Sequence, residues 1–436
     1  MHISAHLHSH PLAPENCRFL QLENWPIFTI LTLTPPRIFE YFEQMLISPM
    51  KKMKASTVET QKLSDSLEVP VFDMSPLLYS KDEKKISELC ASMGKAMAET
   101  SILIVRDPRV SKTDSGNFLD MMERYFSQER ELLDKDVRAE LQYVDFKISL
   151  SDLVKLTLKN KHSYQVGATP EKTEKAICST NHKCKQIVDA LSEDNKPHLK
   201  PDQGADPKWR YFWRIGDRPA KSEFAELNAP QVIPETFKNV WSKTMDMWGT
   251  KLLDAVTTAA EALAMGYGLK KNAFTDLMNK GPHLLAPTGT DYEKYGKVEE
   301  VFATFHQDLN FLTIHGKSRY PGLYIWLRDG TKVPVKMPEG CLLIQAGMQM
   351  EHLTGGHVTA GYHEVIATKQ AIQRARDAKL EGRIPWRVSS TLFAHINSDR
   401  TLIPLGDFNE SKTASKYPAI KAGAQVAEVL KEIALS

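Results

Sequence analysis

The chain is short of cysteine, of net charge and of long apolar runs. Cysteine occurs five times in 436 residues, at Cys17, Cys90, Cys178, Cys184 and Cys341. An odd number at wide spacing does not make a disulfide framework, and it fits a reducing, cytoplasmic setting better than a secreted one. The tightest run, Cys178, His182 and Cys184, has no evident fourth ligand for a structural zinc. Lys and Arg number 56 against 54 Asp and Glu, a formal net charge of +2. With no basic block, the chain lacks the electrostatic footprint of a duplex nucleic-acid binder. No window holds the roughly 18 uncharged apolar residues of a membrane helix. There is no G-x-G-x-x-G, G-x-S-x-G or H-E-x-x-H. Gly316-Lys317-Ser318 resembles the end of a phosphate loop, but Phe311 stands where the upstream glycine is needed. What these absences leave is a protein whose partner is a small molecule, with neither nucleic acid nor membrane, and a monomer as the simplest state.

What is present is ordinary globular material, 42% hydrophobic and 25% charged, enough for a large core without staples. Residues 1–65 differ from the rest: they open with His2, His6, His8 and His10 and pass through an apolar stretch from Trp25 to Leu33. With Glu15 and Glu23 upstream and Pro35-Pro36 after it, that stretch does not read as a signal peptide, and a poorly ordered extension is expected. Residues 66–280 read as an N-terminal, helical region. It has short strands at 69–74 and 101–105, helices over 83–99 and 115–126, and a polar, irregular insertion over 135–205. The aromatic run Trp209 to Arg214 precedes a strong helix from Pro234 to Met265, with Trp241, Met245, Trp248, Leu252 and Val256 at three- and four-residue steps.

Near His283 the period changes from 3.6 to 2. Alternating segments follow at 300–308, 322–328, 332–337, 341–345, 362–368 and 386–396, and Arg328-Asp329-Gly330-Thr331 marks a hairpin. Residues 281–400 therefore read as an antiparallel sandwich or jelly roll, and 401–436 as a C-terminal segment with a helix. The fold class is α+β.

The chemistry gathers in this second half. In Phe302 to Asp308, strand alternation puts His306 and Asp308 on one face. A further strand carries His363 beside Val365 and Ala367. Two imidazoles and a carboxylate form a facial triad that suits Fe(II) and leaves positions open. His352 and His357 compete with His363 as third ligand, but they lie in a glycine-rich turn, and a strand holds a ligand more rigidly. In Trp386 to Phe393 the alternation puts Arg387 and Ser389 on one face, where an inward guanidinium needs an anion and a neighbouring hydroxyl adds a donor.

Taken in order, His306-x-Asp308, His363 and Arg387-x-Ser389 resemble the iron- and 2-oxoglutarate-dependent dioxygenases, in particular the isopenicillin N synthase-like branch. Leu312-Thr313-Ile314, Pro321-Gly322-Leu323 and Leu353-Thr354-Gly355-Gly356 add to the match, which is strongest over 283–397. The resemblance implies a double-stranded β-helix (jelly roll) with N-terminal and flanking helices outside it. It further implies Fe(II) on His306, Asp308 and His363, and 2-oxoglutarate as cosubstrate with its far carboxylate on Arg387 and Ser389. O2 would be consumed and succinate and CO2 released as a small organic substrate is hydroxylated, desaturated or cyclised. Two departures stand out. The family's tyrosine before H-x-D is missing from Leu284 to Thr290, and Glu364 stands where the family usually has arginine. A same-branch oxidase that uses no 2-oxoglutarate, a metal-binding scaffold without turnover and a zinc hydrolase are the rival readings.

Overall fold

The computed structural model describes residues 70–137, 166–175, 178, 181–199 and 204–433. The expected N-terminal extension and much of the 135–205 segment lie outside the described residues. Four strands, β1 (Val71–Asp73), β2 (Ile102–Arg106), β3 (Gly167–Thr169) and β4 (Trp209–Arg214), precede the long helix Trp241–Gly266. After it come β5 (Leu284–Leu285), β6 (Thr288–Asp291), β7 (Val301–Gln307), β8 (Leu312–Gly316) and β9 (Leu323–Trp326). Then follow β10 (Lys332–Pro334), β11 (Leu342–Ala346), β12 (Tyr362–Ile366), β13 (Trp386–Val388) and β14 (Ser390–Ala394).

These strands build two sheets of a jelly roll. The larger runs β1-β2-β11-β8-β14-β5-β4-β6-β13, with β3 beside β4, and the smaller runs β10-β9-β12-β7. Pairing is antiparallel apart from β1 with β2. The Asp329-Gly330 turn joins β9 to β10 as a hairpin, with Gly330 at φ 85°, the left-handed region where glycine is free of strain.

Period-2 alternation sorts the side chains of the larger sheet. Leu103, Val105, Ile314, Ile344 and Leu392 pack outward into the main apolar core with the helices, while Ile102, Ile104 and Leu343 meet Ile325 and Val333 of the smaller sheet. The helices Glu83–Thr100, Lys112–Phe126 and Trp241–Gly266 supply that main core through Met93, Met97, Phe118, Met122, Trp241, Trp248 and Leu252, all buried. Each such apolar side chain taken out of water contributes about 1.5–3 kcal/mol. Trp248 also fixes the helix to the sheet, its indole N–H donating to Ser390 Oγ at 2.6 Å.

Several sequence expectations change. The helix expected from Pro234 begins at Trp241, after a 3-10 turn at Glu235–Phe237. The described part of the 135–205 segment is not irregular throughout: it contains β3 and the helix His182–Ala190, capped by the Asn181 side chain. Its Cys178 and Cys184 are joined in a disulfide with Cα atoms 4.9 Å apart, packed on Phe305 and Trp326. His182 is exposed at the start of that helix, so the run is a covalent clasp and not a zinc site. The aromatic run 209–214 is a strand buried in the larger sheet. The expected strand 386–396 is two strands: β13 pairs with β6, β14 with β8 and β5, and Ser389 sits at the break.

Candidate active site

The pairing of β12 with β7 sets His363 directly across from His306. Their ring centroids lie 4.2 Å apart. Asp308 follows the end of β7, held by its carbonyl, which accepts from Met348 N at 2.8 Å. Its Oδ1 lies 3.7 Å from His306 Nε2 and 3.9 Å from His363 Nε2. These three residues are the group of His, Cys, Asp and Glu side chains, among the described residues, whose ligand atoms all lie within 4.8 Å of one another.

The surroundings leave the right atoms free. His306 Nδ1 is 2.5 Å from the Thr304 carbonyl, which fixes the N–H there and leaves Nε2 as an acceptor. Thr313 Oγ1 donates to Asp308 Oδ2 at 2.6 Å, so Oδ1 is the oxygen that faces the histidines. Burial, then the neighbouring His363, pushes the His306 pKa down to about 3. Burial alone would raise the pKa of Asp308, but the two imidazoles and the Thr313 hydroxyl hold it below its ordinary value. Two imidazoles and a carboxylate whose ligand atoms converge can hold a divalent metal and leave part of its coordination open.

His352 and His357 do not join the group. His357 packs between Tyr267 and Phe408, at 5.5 and 5.2 Å, and His352 lies 5.6 Å from Tyr417.

The triad and Arg387 line one cavity of about 610 Å³, together with Ser389 and His315. Arg387 is only 7% exposed, its Nε has no partner, and among the described residues no carboxylate pairs with it. Burial lowers its pKa, with Tyr292 acting the other way. A buried guanidinium without a counter-ion costs several kcal/mol, and an anion entering the cavity would offset that penalty. Ser389 reaches the same cavity from the break between β13 and β14. It is held by Thr288, whose N–H donates to Ser389 Oγ at 3.0 Å and whose hydroxyl lies 2.7 Å from it. Thr288 and Thr290, the latter opposite Arg387, occupy the stretch from which the resembled family's tyrosine is missing.

Other residues of the site carry no motif. His315 on β8 faces the cavity, with Nε2 2.9 Å from Gln345 Oε1 and Nδ1 3.0 Å from Thr391 Oγ1, and burial pushes its pKa down to about 4. Thr313 and His315 share a strand face opposite the apolar Leu312 and Ile314, so alternation over 312–316 was the available signal. A buried ion network braces β7 from the side: Lys208 Nζ donates to Glu174 at 2.9 Å and to Asp206 at 2.5 Å, and Asp206 accepts from Thr304 N–H. Burial opposes ionisation of Glu174, but Arg210 and Lys208 hold its pKa down at about 2. Nothing in local spacing points to this network, because its members meet only through folding. A second chamber of about 640 Å³ adjoins the triad at His306 and Asp308, walled by Phe212, Phe393, Arg210 and Leu430 of the C-terminal helix Ala422–Glu432.

No family model matches the sequence, and no curated relative is found by sequence. Solved structures do share the fold. A putative 2OG-Fe(II) oxygenase family protein from Caulobacter crescentus superposes with a TM-score of 0.60 at 18% identity, covering 84% of this chain and 99% of that one. A full-length Neurospora crassa protein in complex with alpha-KG gives 0.61 at 15% identity, covering 85% and 98%. JOX2 in complex with 2OG, Fe and JA gives 0.54 at 14% identity, covering 90% and 93%. The chain has the 2OG-Fe(II) oxygenase fold over nearly the whole length of these proteins.

Proposed function

We propose that the protein is an Fe(II)- and 2-oxoglutarate-dependent dioxygenase acting on a small organic molecule. In this reading His306, Asp308 and His363 hold the iron, and Arg387 with Ser389 holds the distal carboxylate of 2-oxoglutarate. The observation that carries it is the buried, unpaired Arg387 lining the same cavity as the triad. A metal site alone is compatible with many chemistries, whereas a metal site that shares its cavity with an orphaned guanidinium calls for a ligand anionic at one end and metal-binding at the other.

The bound iron, with 2-oxoglutarate and O2, supplies the oxidising chemistry, and succinate and CO2 are the coproducts. The chain's own residues do the rest. Thr304 and Thr313 orient His306 and Asp308, so that their metal-facing atoms converge without rearrangement. Arg387 and the Ser389–Thr288 hydroxyl pair fix one end of the cosubstrate and so define where its other end lies. The chamber at Phe212, Phe393 and Leu430 holds the prime substrate beside the metal and keeps bulk water out.

Titration of 2-oxoglutarate into the anaerobic Fe(II) protein, followed by the metal-to-ligand absorption band, tests the reading. Breaking one partner of a buried charged pair costs roughly 3–5 kcal/mol, or about two to three decades in affinity. Arg387→Ala should weaken 2-oxoglutarate by that amount with Fe(II) still bound. Arg387→Lys should recover part of the loss, since an ammonium keeps the charge without the fork. Equal titrations for wild type and Arg387→Ala would remove the 2-oxoglutarate assignment.

A further inference from the structure

Arg387, Ser389 and His315 line not only the cavity of the triad but also a second cleft with about 1030 Å³ of empty space, to which none of the three triad residues contributes. Its wall carries Lys317, Lys336 and Arg374 and no Asp or Glu. Lys336 and Arg374 are exposed, and neither makes an ion pair or hydrogen bond among the described residues. Lys317 is the one partly neutralised, by Glu339 at 2.8 Å in the neighbouring depression. Gly316-Lys317-Ser318, which fails as a phosphate loop, thus forms part of a cationic wall. Its Ser318 hydroxyl is engaged with the Val388 carbonyl at 3.0 Å.

The chamber on the metal side has no such uncompensated charge. Its Glu174 and Asp206 are both paired with Lys208, at 2.9 and 2.5 Å, and Arg210 is paired with Glu174 at 3.1 Å. A dianion approaching from that side meets closed ion pairs, whereas one approaching the second cleft meets the unpaired Lys336 and Arg374 on a wall that ends on a buried, unpaired guanidinium. Clefts lined by one sign of charge concentrate the opposite ion and raise association rates by roughly 10- to 1000-fold, an effect that salt removes.

We propose that this basic cleft is the inlet for the dicarboxylate cosubstrate, which reaches Arg387 from the side away from the metal ligands and leaves the metal-side chamber to the prime substrate. The proposal rests on the 2-oxoglutarate reading above. It assigns Lys336 and Arg374 a steering role without contact to the bound molecule.

The test is stopped-flow mixing of 2-oxoglutarate with the anaerobic Fe(II) protein over a range of ionic strength. Wild type should associate more slowly as salt rises. The double variant Lys336→Glu/Arg374→Glu should associate about tenfold or more slowly at low salt, with a flattened or inverted salt dependence and a dissociation rate near that of wild type. A control pair, Lys84→Glu/Lys95→Glu, makes the same change in net charge on the exposed face of the helix Glu83–Thr100 and should behave as wild type. Equal association rates for wild type and the cleft variant, or equal slowing by the control pair, would overturn the inlet while leaving the dioxygenase reading intact. Failure of wild type to develop the absorption band at all would instead remove that reading, and the inlet with it.

Discussion

At the scale of single residues, the site depends on which histidines share a strand register. His363 stands across from His306, while His357 is wedged between Tyr267 and Phe408. Asp308→Ala and His363→Ala should therefore each abolish stoichiometric iron binding in a folded protein, and His352→Ala and His357→Ala should retain it. Metal analysis after anaerobic loading decides, and iron lost from His357→Ala but kept in His363→Ala would reverse the ligand assignment. Thr313→Val keeps the shape but removes the donor to Asp308 Oδ2. Outer-shell hydrogen bonds of this kind are worth about 10- to 100-fold in metal affinity, so the variant should bind Fe(II) more weakly by that factor, measured by competition with a chelator. The triad, Arg387 and Ser389 were legible in the sequence because strand alternation gives spacing a meaning. Thr313 enters the sequence pattern only within Leu312-Thr313-Ile314, with no role at the metal, and His315 not at all, although the same alternation runs through 312–316. Lys208, Asp206 and Glu174 could not be read, since their contacts with β7 join segments far apart in the chain.

At the scale of elements, period and turn chemistry located most strands of the jelly roll and the helices that cover it. The continuous strand expected over 386–396 is the instructive failure. Alternation carries Arg387, Ser389, Thr391 and Phe393 into one cavity in either case, so the break at Ser389 leaves no trace in the pattern. The break shows only in pairing, where β13 turns to β6 and β14 to β8. Register of the smaller sheet rests on a different detail. Gly322 leads into β9 at φ 135°, and a Cβ there would lie 2.1 Å from the Ile366 carbonyl oxygen at the end of β12. Gly322→Ala must either separate β9 from β12 or strain the backbone, at a cost of about 1–3 kcal/mol for the strain and a similar amount for the overlap. Because β12 carries His363, the melting temperature and the iron affinity should fall together. A lower melting temperature with unchanged iron affinity would show that β12 holds its place through β7 alone.

At the scale of the whole molecule, the fold holds several histidines against protonation in its interior. His283 and His395 are buried and His315 is half-buried on a cavity wall, and desolvation pushes the pKa values of the three down to about 3, 3 and 4. His283 and His395 also face the buried Arg214, held by the Leu227 carbonyl and Asn228 Oδ1, whose charge opposes theirs. In the unfolded chain each imidazole returns to about 6.5. A histidine depressed in the folded state contributes stability that is full above about pH 6.5 and is lost as pH falls toward the folded value, because the unfolded chain takes up the proton first. With His306, which burial also holds at about 3 and which no metal occupies in the metal-free protein, four such groups give a slope of up to about 5 kcal/mol per pH unit, against a total stability of roughly 5–15 kcal/mol. The metal-free protein should thus show little change in melting temperature from pH 8 to pH 7, then a steep fall below about pH 6, with unfolding near pH 5 accompanied by uptake of about four protons per molecule by these imidazoles. Denaturant melts across that range measure the uptake from the slope. Stability that is flat from pH 7 to pH 5 would mean that these imidazoles take up protons inside the fold as readily as in the unfolded chain, and that the interior around β8 and β14 is wetter than its packing indicates.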